Sequence, residues 1–356
     1  MCRITVIAHG LGNGGAERVA SILANGLSKK GNEVQYIAVY NGIINYELDE
    51  NIEYIYVNEE QSNKVVKYYK RSKKILTLLK EFNPNVVVSF VAQEMVLSTL
   101  FGHWPIVFSE RTNPASKPKY LRIITDWVYR NSYRVVFQTI GAKNYFGEKI
   151  RNKGYIIANP MENALPTWKS EEHNKDIITA CRITPEKNLQ MMIKAFARCH
   201  EKFSDYRLVI YGTPRHLKIK EELVQFVNEL NLSDVVIFPG FSENIRNDMA
   251  EASMFLLTSN YEGLSNSMLE ALCIGVPTIC TDCPPGGAAM YIKDGENGFL
   301  VPVNDDVKLA ENMMRILNDE KLQKSISEKS QKLRDELRVE KIVEKWIDVL
   351  NLKLYE

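Results

Sequence analysis

Short runs rich in Val, Ile and aromatic residues alternate along the chain with longer segments whose apolar positions recur every three to four residues. An apolar run of a few residues bounded by turn signals reads as a buried strand, and the longer recurrence reads as a helix with one buried stripe. On this basis strands are predicted at 4–8, 34–39, 52–57, 86–90, 106–109 and 134–138, with helices at 17–29, 64–82 and 119–131. A polar stretch at 167–174, preceded by Asn159-Pro160 and Pro166, interrupts the series. A second series follows, with strands at 177–183, 207–211, 235–239, 254–258 and 278–281 and helices at 189–202, 217–230, 242–252 and 265–275. From Val307 onward the pattern is helical and charged. The alternation predicts an α/β protein of two Rossmann-like, doubly wound units, each a parallel sheet covered by helices, with a cleft expected where the sheets face each other. The expected division is 1–165, 166–335 and a terminal helix at 336–356 that crosses back to the first unit.

Composition narrows the functional classes. Among 356 residues, 45 Lys plus Arg face 44 Asp plus Glu, so no global field favours nucleic acid, and any charged partner must be met by a local cluster. The six cysteines at 2, 181, 199, 273, 280 and 283 are too sparse for a disulfide scaffold and suit a reducing cytoplasm. Residues 1–8 read as a first strand and not as an export signal, and no stretch approaches the 18 or so apolar residues that span a bilayer.

Gly10-Leu11-Gly12-Asn13-Gly14-Gly15 follows the first strand and opens a helix, which fits the dinucleotide fingerprint. The second strand, however, ends in Val39-Tyr40-Asn41-Gly42 without the acid that a ribose hydroxyl needs. What remains is either a tight turn or an anion site at a helix N-terminus. In the second half, Arg182 and Lys187 share one strand-to-helix loop, where a planar fork and a point charge together can grip a diphosphate. Farther on, Glu262 lies in a loop and Glu270 inside the next helix, eight positions apart and slightly over two turns, so both carboxylates can face one ligand. Cys280-Thr281-Asp282-Cys283 lacks a second pair and a helix N-terminus, so it reads as structural, and the five histidines show no metal spacing.

In this order the motifs resemble the retaining GT-B glycosyltransferases, specifically the family-4 group of bacterial polysaccharide enzymes. The resemblance is carried by Gly14-Gly15-Ala16-Glu17-Arg18, Ser109-Glu110-Arg111-Thr112-Asn113-Pro114, Phe137-Gln138-Thr139, Asn159-Pro160, Arg182 with Lys187-Asn188, and the Glu262/Glu270 pair. It implies a GT-B fold with a sugar nucleotide, most plausibly a UDP-sugar, on the second unit and an acceptor on the first. Arg182 and Lys187 would hold the diphosphate, Glu262 the sugar hydroxyls and Glu270 the ribose. Gly14, Gly15, Gly263, Leu264 and Ser265 would complete the donor site. Glu110, at the end of a strand, is the candidate for the acceptor's proton, and His9, Arg111 and Asn113 are acceptor-side candidates.

The expected activity is therefore a retaining hexosyl transfer to a polyprenyl-diphosphate-linked saccharide in surface polysaccharide synthesis. Neither metal nor cofactor is expected, because two cations and helix amides can stabilise the leaving diphosphate. The competing classes are a sugar-nucleotide 2-epimerase of similar build and a non-catalytic nucleotide-sugar-binding protein. Residues 64–80 carry Lys64, Lys67, Lys70, Arg71, Lys73, Lys74 and Lys80 without an acid. Val65, Tyr68, Tyr69, Ile75, Leu76 and Leu79 form the arc expected to pack, and the cations the face expected to meet anionic lipid. The expected location is the inner face of the cytoplasmic membrane.

Overall fold

The computed structural model describes residues 1–12, 14–57 and 63–352, apart from the side chain of Lys64. Asn13 of the glycine loop and the last four residues thus lie outside the described residues, as does the Lys64 side chain. The chain forms two compact units, Met1–Pro160 with Leu337–Glu356, and Met161–Glu336.

In the first unit, β1 (Arg3–Ala8), β2 (Glu33–Ala38), β3 (Glu53–Tyr56), β4 (Val86–Ser89), β5 (Ile106–Glu110), β6 (Arg134–Phe137) and β7 (Gly154–Ile156) form a sheet in the order β3-β2-β1-β4-β5-β6-β7. In the second, β8 (Asp176–Ala180), β9 (Arg207–Tyr211), β10 (Val236–Gly240), β11 (Met254–Leu257), β12 (Thr278–Thr281) and β13 (Phe299–Val301) are ordered β10-β9-β8-β11-β12-β13. All recorded strand pairs are parallel, as in the β1–β4 ladder Ile4↔Val86 to Ile7↔Ser89 and the β8–β11 ladder Met254↔Ile177. Parallel strands are buried on both faces, which is why these strands are mostly apolar throughout and do not alternate. β7 and β13 escape the sequence pattern because three-residue edge strands carry no period.

Each sheet is doubly wound, and its order reverses at one place, between β1 and β4 in the first unit and between β8 and β11 in the second. Loops at the C-terminal ends of the strands flanking such a reversal diverge to opposite faces and leave a crevice between them, where ligands of open α/β sheets bind.

The Lys64–Phe82 helix departs from its expected packing. Asn63 caps it, its side chain accepting from the amides of Val65 and Val66. Ile75 and Leu79 are buried as the arc requires, but Val65, Tyr68 and Tyr69 are exposed. Arg71, expected among the outward cations, is buried, with its guanidinium 4.6 Å above the Tyr40 ring. Arg71 stands one turn before Ile75 on the same stripe and, with Ser72, is buried alongside Ile75 and Leu79. At the end of the chain, the Val339–Leu350 helix belongs to the first unit, where Val343 packs so closely on Gly26 that a Cβ there would meet it at 2.5 Å.

Candidate functional site

The crevice of the second unit is built by the loops after β8 and β11, and hydrogen bonds zip these loops together. Thr258 Oγ1 donates to the carbonyls of Lys187 (3.0 Å) and Asn188 (3.1 Å), and the Asn260 amide donates to the Glu186 carbonyl (2.8 Å). The Asn188 side-chain amide donates to Asn260 Oδ1 (3.0 Å) and Asn304 Oδ1 (2.8 Å). Asn188 takes a left-handed conformation, φ +48°, which asparagine tolerates and which starts the Leu189–His200 helix at once. This pins the backbone of Lys187.

The sequence treats Lys187 as one of two cations and Glu262 as one of two acids. The structure joins them instead: Lys187 Nζ pairs with Glu262 Oε2, which also accepts from Ser259 Oγ at 3.2 Å. The Glu262 amide donates to the Pro284 carbonyl at 3.0 Å, and Gly287 lies so close to the Gly263 carbonyl that a Cβ would stand 1.9 Å from it. Glycine at 287 is thus required by a close approach of two backbones. Arg182 is exposed on the loop after β8 and makes no ion pair among the described residues. Ser265 caps the Asn266–Ile274 helix by accepting from the Met268 amide at 3.3 Å, so the helix begins later than expected.

Glu270 is buried in that helix and is paired with a different cation. Arg246 Nε donates to Glu270 Oε1 at 3.1 Å, and the two terminal nitrogens of Arg246 bond Glu162 at 2.5 and 2.9 Å. Arg246 carries no signal in the sequence, because its partners stand 24 and 84 positions away and only the fold brings them together. Burial raises the Cys181 and Cys283 thiols to about 11 and lifts Cys280 as well, so these cysteines are inert thiols at neutral pH.

In the first unit, Gly10 and Gly12 serve close approach. A Cβ on Gly10 would lie 2.5 Å from the Asn41 carbonyl oxygen and one on Gly12 2.7 Å from Asn41 Nδ2. Gly14 precedes the Gly15–Lys29 helix, and the Glu17 carboxylate folds against it, where a Cβ would meet Glu17 Oε2 at 1.8 Å. His9 stacks on Tyr40 with ring centroids 5.0 Å apart. Desolvation lowers its pKa below the usual 6.5, opposed by Glu17 and assisted by Lys117. Tyr40 in turn bonds the fully buried Glu94, whose carboxyl is pushed up by burial.

Three first-unit candidates are committed to structure. Glu110 is buried and accepts from the Thr112 amide (3.2 Å) and hydroxyl (2.7 Å), from the Tyr129 hydroxyl (3.1 Å) and from Lys117. Glu110, the candidate for the acceptor's proton, thus has both carboxylate oxygens engaged by these donors and holds the loop after β5. Arg111 donates to Ser109 Oγ (2.6 Å) and Asn159 Oδ1 (2.8 Å) and packs near Phe90 and Trp346. Burial lowers its pKa to about 9, and it braces Asn159 through one terminal nitrogen while the other is buried without a hydrogen-bond partner among the described residues. Asn113 accepts from the Ala115 amide at 3.1 Å and caps a short turn. Nearby, a cavity of about 790 Å³ opens against the Lys119–Arg130 helix, its lining including Lys119, Arg122, Ile123, Trp127, Arg130 and Tyr145.

Residues 161–333, nearly the whole second unit, match the family model of glycosyl transferases group 1. The chain is 27% identical to the N-acetylgalactosamine-N,N'-diacetylbacillosaminyl-diphospho-undecaprenol 4-alpha-N-acetylgalactosaminyltransferase of Campylobacter jejuni, over 93% of this chain and 94% of that protein. An uncharacterized glycosyltransferase of Haemophilus influenzae is 26% identical over 95% of this chain and 96% of its own length. Among solved structures, Anabaena HepE in complex with UDP and glucose superposes with a TM-score of 0.84 at 18% identity, covering 99% of this chain and 100% of that one. Two doubly wound units in this arrangement of strands, the second matching group 1 across its length, give this chain the GT-B fold of a glycosyltransferase whose second unit is a group 1 unit.

Proposed function

We propose that the chain moves a hexose-type sugar from a UDP-sugar to a lipid-linked saccharide, with retention at the sugar and without a metal ion. The observation that carries this reading is the pinned Lys187–Glu262 pair at the sheet reversal of the second unit, with Arg182 exposed on the same loop. Negative charge grows on the departing diphosphate in such a transfer, and preorganised cations stabilise it most where water is scarce. Lys187 and Arg182 take that role, Glu262 orients the sugar hydroxyls, and Glu270 accepts from the ribose. Gly263, Leu264 and Ser265 add backbone amides. Gly14 and Gly15 remain donor-side candidates, with the Glu17 carboxylate folded against Gly14. On the acceptor side, His9 remains a candidate, stacked on Tyr40 with its pKa lowered by desolvation. The structure of the Anabaena protein with UDP and the diphospho-undecaprenol acceptor in the name of the Campylobacter protein support the choice of donor and acceptor. The cavity beside the Lys119–Arg130 helix supports it too, since its lining joins cations to apolar side chains, as a lipid-linked diphosphate requires.

The test is UDP release over a panel of nucleotide sugars, with and without lipid extract of the source cell. One UDP-sugar should be consumed, only with the extract, and activity should persist in EDTA because Lys187 and Arg182 supply the positive charge. Activity abolished by EDTA and restored by Mg²⁺ titration would overturn the metal-independent mechanism, and consumption without lipid the acceptor assignment.

We further propose that the Lys64–Phe82 helix meets anionic lipid through its exposed cations, Lys70, Lys73 and Lys74, beside exposed Val65 and Tyr69. Lys67 is half-buried and contributes less, and buried Arg71 has no part in it. No helix among the described residues is long and apolar enough to cross a membrane, and this reading needs none. Each exposed cation near anionic lipid contributes about 1 kcal/mol, so Lys70→Glu, Lys73→Glu and Lys74→Glu together should abolish salt-sensitive vesicle binding. Donor binding should be unaffected. A triple variant that binds vesicles like the parent would relocate the contact.

A further inference from the structure

We infer that Arg246 is a positioning residue for the nucleoside, fixing the Glu270 carboxylate in the orientation that receives the ribose hydroxyls. This rests on the reading of Glu270 as the ribose contact.

Arg246 lies in the Ile245–Glu251 helix, which follows β10, and Glu270 in the Asn266–Ile274 helix, which follows β11. Between them one guanidinium serves two carboxylates, through Nε to Glu270 Oε1 at 3.1 Å and through both terminal nitrogens to Glu162. The three side chains form a gradient of exposure, 7% for Glu270, 28% for Arg246 and 44% for Glu162. The cation thus links a buried acid to a more exposed one, and a counter-charge matters most where a carboxylate is withdrawn from water.

The geometry does more than neutralise. A guanidinium is planar, and the two-pronged grip on Glu162 fixes the plane and rotation of the whole fork. Nε then has one direction left in which to point, and Glu270 Oε1 stands in it. Glu162 is thus the outer anchor, Arg246 the transmitting link, and the Glu270 carboxylate the element whose plane is set. A diol reader needs this, because two adjacent hydroxyls are distinguished from none only by an ionised acceptor held in one orientation. A lysine at 246 would keep the charge but lose the fork, and with it the orientation.

The experiment measures binding of UDP and of 2′,3′-dideoxy-UDP by titration calorimetry, with thermal melting as the check on folding. The parent should prefer UDP by about tenfold or more, the loss expected when a charged acceptor forfeits its hydroxyl donors. Arg246→Ala should reduce that preference to within about twofold while leaving the affinity for the dideoxy compound nearly unchanged. Arg246→Lys should give an intermediate preference, and it carries the same test if the alanine variant fails to fold. A purely structural ion pair predicts otherwise, with both nucleotides weakened equally. That result, or a parental preference in Arg246→Ala, overturns the inference. Glu270→Ala separates the two levels of the claim. If it abolishes the preference and the Arg246 variants do not, only the role of Arg246 falls. If it too retains the preference, the ribose assignment of Glu270 fails and takes the inference with it.

Discussion

Lys187→Ala and Arg182→Ala are each expected to lower the rate of UDP release at saturating donor and acceptor by roughly 10²-fold or more, the cost of losing one stabiliser of charge that develops in the transition state. The two variants should differ in a second respect. Arg182 is exposed and unpaired by any described carboxylate, so its removal should leave the melting temperature unchanged. Lys187 is mostly buried and holds Glu262, so Lys187→Ala leaves a carboxylate without its cation and should also lower the melting temperature. Turnover at the parental rate in both variants would remove the diphosphate assignment from this loop.

Glu262→Gln is expected to reduce transfer by about 10²-fold while changing the dissociation constant of UDP by no more than a few-fold. The amide is isosteric and can still meet Ser259 Oγ, and the backbone bond to the Pro284 carbonyl is untouched, so the loop should hold. What it loses is the charge that balances Lys187. Freed of that partner, Lys187 should turn more readily to phosphate, which sets the sign of the effect on UDP: unchanged or tighter. Calorimetry with UDP and with the UDP-sugar settles the matter. Equal weakening of both would assign Glu262 to the nucleotide and not to the sugar.

Local chemistry was sufficient for much of the architecture. The apolar runs of β1, β4, β8 and β11 are legible because burial on both faces of a parallel strand demands largely continuous apolar side chains, and β9, β12 and the Lys64–Phe82 helix match their predicted bounds residue for residue. The loop that holds Arg182 and Lys187 was also visible, since a strand-to-helix turn must sit at one end of the sheet. The strand order was not, because pairing joins residues dozens of positions apart, and it is the reversal of order between β8 and β11 that makes this loop a site and not merely a turn.

Side-chain partnerships show the same division. Spacing along the chain made Glu262 and Glu270 a pair, and the fold gives them different cations, Lys187 to one and Arg246 to the other. Arg71 was expected among the cations of an outer face, but it stands one turn before Ile75, and the stripe that folding buried runs through both while leaving Val65 and Tyr69 exposed. Glu110 looked like a base because strand ends often present one, and four donors supplied by Thr112, Lys117 and Tyr129 satisfied it instead. The sequence by itself determined the two doubly wound units, the elements that compose them and which residue types stand at the ends of the strands, because hydrophobic period and turn chemistry are local properties. Only the tertiary structure decided which charges are paired, which are buried and which remain available, because a charge takes its partner from whatever distant segment folding brings within a few ångströms.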